Sequence, residues 1–555
     1  MLYTLSSSAK SGGSSFGDLS EIRHLIASLA LHGSIRRAET FPHSFRVVAR
    51  PSFSLDIATA KCPNAEGPPE GGYYARRQLR KQKLGVVQLM PAYAQDWPCR
   101  LSSDVQRAVE LPPIPVRLEL VKLYFDFIHD QFHSLFHRPT FMGDVVNDRV
   151  PPIVLFAIFA LSSRFSVDEA FAGSDPRERG ERFRLACEGL LSIRDVGLVN
   201  IQTFMLLGAY AAANGDTDVE NLYYSLAGRM ALSLKLPELP VTTLLEKELN
   251  IRVWWTLCMI DVWSSTAVKL PKIMPSNQGH QLPMDEMSFL SIRHNDQAAM
   301  PSSPLTSFQA PLLAEMIKLN MVLAKVIEFN NRSVGESLDS VTLETGVREL
   351  AFELDDWLAN LPPHMRDTAQ NFHTFADLGL GRMFAAVHLG YYHYGQLLCY
   401  QFLGADVADT LNPFHQYAER CKNYAARLCE LVYRSFATPG SDVKYSAVSH
   451  ILVISSTVQI HTLLFSGDEI QIGLAKSRLE RNFEILLQLK TFWSSTDSAM
   501  NRLQAFHHTC LRSRETSFVL DRWLLRFLVE FAAHMEFEPR GIDTGYEALL
   551  SLSKC

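Results

Sequence analysis

Three histidines and one acidic residue in an apolar run are the side chains with the clearest potential for chemistry. His129, His133 and His137 are spaced four residues apart, which on one continuous helix would align three imidazoles able to bind zinc. Pro139 and a helix end expected near residue 134 would turn His137 away from the other two. The pattern therefore favours a structural or surface histidine cluster over a metal site.

The acidic residue is Asp261, in the run VWWTLCMIDVW that holds three tryptophans over residues 253–263. A helix that is apolar on nearly all sides belongs in a core, where a carboxylate is costly unless it is paired. Asp261 either ties its helix to the following segment, the favoured reading, or anchors a ligand in a pocket. Arg252 can also pair with Glu248 one helical turn upstream. The candidate partners of Asp261 are Thr256, Arg252 and Lys269.

Motifs of catalysis and phosphate binding are absent from the sequence. It has no Gly-x-Ser-x-Gly elbow, and LAKS (474–477) lacks the glycines of a phosphate loop. GLGRMF (379–384) has two glycines of a dinucleotide fingerprint but follows no strand pattern. We therefore expect that this protein is not an enzyme.

The composition is that of a globular protein, with 555 residues, 47% hydrophobic and 20% charged. A net charge of -6 confines any binding of nucleic acid to a local patch. The nine cysteines include no Cys-x2-Cys pair, which argues against a zinc site or a disulfide framework. The longest apolar runs, such as residues 153–161, are shorter than the roughly 18 residues of a membrane-spanning helix. We expect no membrane association.

The first 115 residues are rich in Ser, Gly and Pro and predict a region of little regular structure. A basic segment over residues 76–83 stands out within it. Such a segment is a candidate for a nuclear-import signal or for contacts with nucleic-acid phosphates. The alternative is that it forms the solvent-exposed face of a helix and has no such function. Its basic residues are Arg76, Arg77, Arg80, Lys81 and Lys83.

From residue 116 to residue 555 the apolar residues recur with a helical period, which predicts one large all-α domain. Residues 270–310 are the longest irregular stretch, and we expect a loop packed over the helices or a lid. The predicted helices cover residues 116–132, 152–165, 178–194, 198–213, 217–235, 243–267, 311–330, 341–360, 374–403, 412–436, 442–466, 469–492 and 516–533.

Three blocks of the helical region resemble one known family. The block 246–271 is similar to the signature of the regulatory domain of fungal transcription factors, known as the middle homology region. Blocks 124–141 and 353–366 resemble two further parts of that domain, in the same order. The matching residues are Glu248, Arg252, Trp254, Trp255, Leu257, Asp261, Ser264 and Pro271 in the first block. In the block 124–141 they include Tyr124, His129, His137, Arg138 and Pro139.

The resemblance implies a transcription regulator of the nucleus that acts through its helical domain on a specific pathway, for example a metabolic or secondary-metabolite gene set. It implies DNA or a DNA-bound transcription factor as partner, with a small-molecule effector and a second copy of the chain as further candidates. The family's DNA-binding module is a cluster of two zinc ions on six cysteines. Only Cys62 and Cys99 occur in residues 1–115, so we expect no zinc or other cofactor in this chain.

Two alternatives stay open. The helical region can be a metabolite-binding or enzyme domain of similar fold that does not bind DNA directly. The absent catalytic motifs argue against this reading. The other alternative is a complete zinc cluster encoded upstream of the first residue, for which the unusual composition of residues 1–60 is the only indication.

Overall fold

The computed structural model describes residues 110–131, 133–267, 270–275, 279–293, 296–298, 308–335, 338–404 and 412–512. These residues form sixteen α-helices, several single turns of 3₁₀ helix and no strand, so the all-α prediction is confirmed. From Leu111 onward they lie in one compact unit with a continuous apolar core.

The helices follow one another along the chain as follows. The first eight are α1 (Ile114–Phe127), α2 (Arg138–Val146), α3 (Pro152–Ser162), α4 (Glu181–Leu190), α5 (Leu198–Asn214), α6 (Thr217–Leu234), α7 (Leu244–Ala267) and α8 (Glu286–Ser291). The second eight are α9 (Leu312–Gly335), α10 (Ser340–Asn360), α11 (Ala369–Asp377), α12 (Gly381–Cys399), α13 (His415–Ala437), α14 (Ala447–Phe465), α15 (Glu469–Lys490) and α16 (Ser495–Arg512).

Helices that are consecutive in the chain form the main packing pairs. The pairs α5 with α6, α12 with α13, and α14 with α15 have the most extensive contacts. Short turns make this arrangement favourable, as between α5 and α6, where Gly215 adopts a left-handed conformation with φ of 82°. The carboxylate of Asp216 then accepts a hydrogen bond from the first turn of α6.

Helix α7 begins with a capping box and continues into the core. Thr243 and Glu246 exchange hydrogen bonds, because the side chain of each accepts from the backbone N–H of the other. From Ile251 to Leu257 every side chain is buried, as expected of a run that is apolar on all sides. This helix carries most of the residues that the sequence singled out.

Several helix boundaries differ from the prediction. Helix α1 ends at Phe127, before the predicted end at 132, and Asp130 follows with a φ of 62° that a helix cannot accommodate. The predicted helix 374–403 is two helices, because Gly379 at φ 74° separates α11 from α12. The sequence did not predict α2, α8 and α16. The predicted helix 516–533 lies outside the described residues.

One described helix, α14, is long and apolar enough to cross a membrane by length and composition alone. Nearly all of its side chains are buried against other parts of the protein. This burial is typical of a central core helix, and it accounts for the apolar composition of α14.

Candidate functional site

The guanidinium group of Arg252, in the middle of α7, is enclosed by protein, with 1% of the side chain exposed. Its Nε donates a hydrogen bond to Glu248 Oε1 over 2.9 Å, and its Nη2 lies 3.2 Å from Glu286 Oε1 in α8. The ring of Phe289 covers the guanidinium, with 3.7 Å between the ring centroid and Cζ. Because a buried charge without partners is very costly, these contacts hold α8 against α7.

Backbone and hydroxyl groups complete the surroundings of Arg252. Nη2 donates to the carbonyl of Met284 over 2.9 Å, and Nη1 donates to Ser134 Oγ over 3.3 Å. The N–H of Met284 in turn donates to Glu248 Oε1 over 2.9 Å. The irregular segment before α8 is therefore bound to α7 through both the backbone N–H and the carbonyl of one residue, Met284.

Glu286 connects the same group of charges to the next long helix. Its carboxylate accepts hydrogen bonds from the N–H groups of Leu312 and Leu313, over 2.6 and 3.4 Å, at the start of α9. Its own N–H donates to the carbonyl of Ala310 over 3.1 Å. A carboxylate at a helix N-terminus satisfies N–H groups that have no partner within the helix and interacts favourably with the helix dipole.

Three carboxylates, of Asp130, Glu248 and Glu286, interact with the single guanidinium of Arg252. Burial raises the pKa of Glu286 to about 7 and also raises that of Glu248, although Arg252 opposes both shifts. Burial acts on Asp130 in the same direction, but its interactions with His129, Arg252 and Ser134 together outweigh burial, and the pKa of Asp130 is lowered. Glu286 therefore binds a proton near neutral pH, far more readily than a solvent-exposed glutamate does. We call Asp130, Glu248, Arg252 and Glu286 the Arg252 network.

The loop between α1 and α2 presents the three histidines to separate partners. His129 Nε2 accepts hydrogen bonds from the N–H groups of Leu135 and Phe136, over 2.9 and 3.0 Å, and Nδ1 lies 2.9 Å from Asp130 Oδ2. This arrangement requires the ring proton on Nδ1.

The other two histidines bind hydroxyl groups. His133 Nε2 lies 3.1 Å from the Tyr124 hydroxyl, and His137 Nδ1 lies 3.1 Å from Thr140 Oγ1. In the part of the chain that the structure describes, no three His, Cys, Asp or Glu residues are arranged to hold a metal ion. The geometry thus gives each imidazole its own partner, within the loop for His129, in α1 for His133 and in α2 for His137.

Asp261 lies two and a half turns after Arg252 on α7. Its Oδ2 accepts hydrogen bonds from the N–H groups of Ile273 and Met274, each over 2.8 Å. Burial raises the pKa of Asp261, and the two N–H groups oppose the shift. Asp261 therefore ties α7 to the segment that follows it, which is the first of its two predicted roles.

The predicted partners of Asp261 have other positions. Thr256 Oγ1 accepts from the N–H of Ser134 over 3.3 Å, and Arg252 belongs to its own network. Lys269 lies outside the described residues. The sequence therefore predicted the role of the Asp261 carboxylate but did not identify the backbone N–H groups that it binds.

The other residues of the family signature make contacts that stabilise the fold or lie at the surface. Trp255 donates through Nε1 to the carbonyl of Gln281 over 2.9 Å, and the ring of Trp254 meets that of His280 edge to face. Arg138 pairs with Asp126 over 2.9 Å. Pro139 is in the first turn of α2, where its missing N–H costs nothing, and Pro271 is exposed.

Residues 121–359, which include the whole Arg252 network and the Asp261 contact, match the model of the fungal specific transcription factor domain. This part of the chain is similar to the fungal specific transcription factor domain. The resemblance inferred from blocks 124–141 and 246–271 is thereby confirmed, and block 353–366 lies at the end of the matched range.

Curated relatives of the chain are fungal transcription regulators. An uncharacterized transcriptional regulatory protein of Schizosaccharomyces pombe is 25% identical over 373 residues, which are 61% of this chain and 36% of that protein. A second such protein of the same yeast is 24% identical, covering 72% and 54%. A Zn(2)-C6 fungal-type transcription factor of Fusarium oxysporum f. sp. lycopersici is 22% identical, covering 78% and 50%.

The chain therefore spans between about a third and about half of the length of these relatives. No solved structure matches it. The segments aligned to the second and third of these relatives cover 72% and 78% of the chain, which is more than the range 121–359, so the similarity to them extends beyond that range.

The domain brings together some predicted residues and leaves others apart. Glu248 and Arg252 meet in the network, whereas Asp261 lies in a separate contact on the same helix. The basic residues Arg76, Arg77, Arg80, Lys81 and Lys83 lie outside the described residues. The sequence analysis missed Ser134, Met284, Glu286 and Phe289. For Glu286 and Phe289, the only indication in the sequence was an acidic residue followed three positions later by an aromatic one.

The protonation of Glu286 leads to a prediction about pH. Because its pKa is higher in the folded than in the unfolded state, the folded state binds the proton more tightly, and stability decreases as pH rises through the folded pKa. We expect Glu286→Gln, which resembles the protonated acid, to reduce the slope of unfolding free energy against pH between about pH 5 and pH 7. The reduction is at most about 1.4 kcal/mol per pH unit.

Urea unfolding at a series of pH values measures this slope. The control is Glu353→Gln, which changes a carboxylate that pairs with Lys325 at the surface and should leave the slope as in the unmodified chain. Equal slopes for Glu286→Gln and the unmodified chain would contradict the assignment of the proton to Glu286.

The Asp261 contact predicts a graded loss of stability. We expect Asp261→Ala to lower the unfolding free energy by about 1–3 kcal/mol, because two partly buried N–H groups lose their acceptor. Asp261→Asn keeps an acceptor oxygen and should cost less. Urea unfolding of both variants tests the order. An alanine variant as stable as the unmodified chain would exclude the structural role and favour the ligand role.

Proposed function

We propose that this chain is a pathway-specific regulator of transcription that acts in the nucleus through its helical domain. The observation that carries the proposal is the match of residues 121–359, with the buried Arg252 network inside it, to the fungal specific transcription factor domain. The names of the relatives, all transcription regulators or transcription factors, support it. Target genes such as a metabolic or secondary-metabolite set fit this function.

We further propose that the chain reaches DNA through a DNA-bound partner and holds no zinc of its own. Cys62 and Cys99 are the only cysteines of residues 1–115, and two thiolates cannot bind two zinc ions. Among the described cysteines, Cys187, Cys399 and Cys421 are buried, and burial raises the pKa of their thiols. A thiol that stays protonated is a poor metal ligand.

A tethering experiment tests the regulatory function. The full chain is fused to a bacterial DNA-binding domain, and transcription is measured from a reporter that carries the matching operator. We expect a change in transcription relative to the DNA-binding domain alone. Arg252→Ala should abolish the change, since loss of this partner leaves buried carboxylates unpaired at a cost of about 3–5 kcal/mol.

Arg348→Ala is the matched control, because this arginine is largely exposed and should be dispensable. A folded fusion with no effect on the reporter would contradict the regulatory function. Metal analysis of the purified full chain tests the accompanying proposal, which two zinc ions per chain would overturn.

The basic segment 76–83 leads to a prediction about localisation. A run of five positive charges within eight residues is typical of a nuclear-import signal. Replacing all five basic residues with alanine should shift a fluorescent fusion of the chain from the nucleus to the cytoplasm, as measured by microscopy. Arg194→Ala with Arg348→Ala, which removes exposed arginines elsewhere, is the control. An unchanged nuclear fraction would exclude the segment as the import signal.

A further inference from the structure

Helices α9 and α10 form an antiparallel pair within the helical unit. The indole Nε1 of Trp357 donates to Glu315 Oε2 over 2.9 Å, and Lys325 Nζ lies 2.7 Å from Glu353 Oε2. Residue numbers therefore rise along α9 in the direction in which they fall along α10. The two contacts show which turns of the helices lie side by side.

Each of the two helices carries an exposed stripe of residues with the same spacing. Residues at i, i+3 and i+7 share one face of a helix, and both stripes follow this pattern. The outer members of each stripe are seven residues apart, which is about 10 Å along a helix. We call these six residues the α9–α10 face: Lys318, Met321 and Lys325 in α9, with Glu349, Phe352 and Asp356 in α10.

The central residue of each stripe is apolar and exposed. Phe352 is 69% exposed and is the one aromatic side chain of the described residues that lies largely in solvent, and Met321 is 40% exposed. Single exposed apolar residues are ordinary at a protein surface, whereas adjacent ones on rigid helices, bordered by charges, are typical of an interface. Aromatic residues and methionine are enriched in interfaces.

The charges of the two stripes have opposite signs. Lys318 and Lys325 give the α9 stripe two positive charges, whereas Glu349 and Asp356 give the α10 stripe two negative charges. Each lysine contacts a carboxylate of its own chain, but about half of its side chain is exposed and accessible to a further carboxylate. The ion pairs of α10 within the described residues involve other carboxylates, namely Glu344, Glu353 and Asp355.

This arrangement is complementary to itself under a two-fold rotation. An axis parallel to the helices and midway between them places α9 of one copy over α10 of the other and keeps each residue at its own level. By the two contacts between the helices, Lys318 is level with Asp356, and Lys325 with Glu349, to within about one turn. Met321 and Phe352 then face each other between the two pairs of charges.

We propose that the α9–α10 face binds the same face of a second copy of the chain, which forms a symmetric dimer with a four-helix bundle at its centre. The charges favour a second copy over other partners. A basic partner is repelled by α9, an acidic partner is repelled by α10, and an apolar partner leaves all four charges unpaired. A second copy supplies both signs at the matching spacing, and antiparallel packing of neighbouring helices is the usual geometry of such a bundle.

A dimer of this kind extends the proposed regulatory function, on which the following consequence rests. A symmetric dimer presents every other surface of the chain twice. One regulator would then hold two copies of a DNA-bound partner.

Sedimentation equilibrium of the purified full chain tests the dimer directly. We expect a concentration-dependent equilibrium between monomer and dimer, and we expect the Kd to rise with salt because ions screen the exposed charge pairs. A chain that remains monomeric at low ionic strength and at its highest soluble concentration would overturn the proposal.

Two charge-reversal variants identify the surface and the partner together. Lys318→Glu with Lys325→Glu makes both stripes acidic, and Glu349→Lys with Asp356→Lys makes both basic. Each variant alone should have a dimer Kd at least about 10-fold higher, because like charges then face each other. Mixed together, with a fluorescent label on one of them, the two variants should form a heterodimer. Self-association as in the unmodified chain, or a mixture without heterodimer, would exclude this face.

Phe352→Ser tests the apolar centre without altering a charge, and it decides the matter if a charge-reversal variant fails to fold. We expect its dimer Kd to rise by about 10-fold and its Tm as a monomer to stay the same, because the ring makes little contact within its own chain. Val341→Ser is the matched control, since Val341 is 73% exposed on the same helix, three turns away from Phe352. An unchanged Kd for Phe352→Ser would contradict the proposal.

These measurements use no DNA and no transcription. A chain that fails to dimerise therefore leaves the regulatory function standing, and a failure of the reporter experiment leaves the dimer standing.

Discussion

Burial of the Arg252 guanidinium is the constraint on which this part of the fold depends. A guanidinium group carries five N–H donors and keeps its charge at any physiological pH, so the folded chain must supply acceptors around it. Helix α7 provides only Glu248, and the others come from the loop before α2 and the segment around α8. The described residues between α7 and α9 therefore pack against α7. Asp261 binds them at Ile273, and Glu286 binds the start of α9 at Leu312.

The network also explains why this helical domain has buried charges in its core. Three carboxylates against one guanidinium leave an excess of negative charge, which a proton on Glu286 reduces. Ion pairs of this kind contribute little net stability compared with apolar packing, but a chain that cannot form them cannot bury Arg252. We infer that these ion pairs favour one arrangement of the loop and helices over other compact arrangements of the chain. The domain that performs the proposed regulation thereby has a defined core.

The sequence predicted what depends on periodicity and little of what depends on distant pairing. The bounds of α7 agree to within one residue, because a capping box and a continuous apolar run mark it locally. The tying role of Asp261 was also predictable, since a carboxylate in such a helix needs a partner. Its actual partners, the N–H groups of Ile273 and Met274, were not, because any backbone offers such groups. Glu286 was missed for a similar reason: in an irregular stretch an acidic residue looks solvent-exposed, and only the folded loop buries it.

The distribution of the Arg252 network along the chain also has a consequence for biosynthesis. Arg252 and its first partners in the loop and in α7 are translated before Met284 and Glu286, and the N–H groups of α9 that bind Glu286 come later still. At about 5–20 residues per second, the ribosome needs several seconds to extend the chain from Arg252 to Leu313. Throughout this interval α7 has a charged group and apolar surfaces without their final cover. The region around α7 can therefore reach its final packing only after the residues that lead into α9 have left the ribosome.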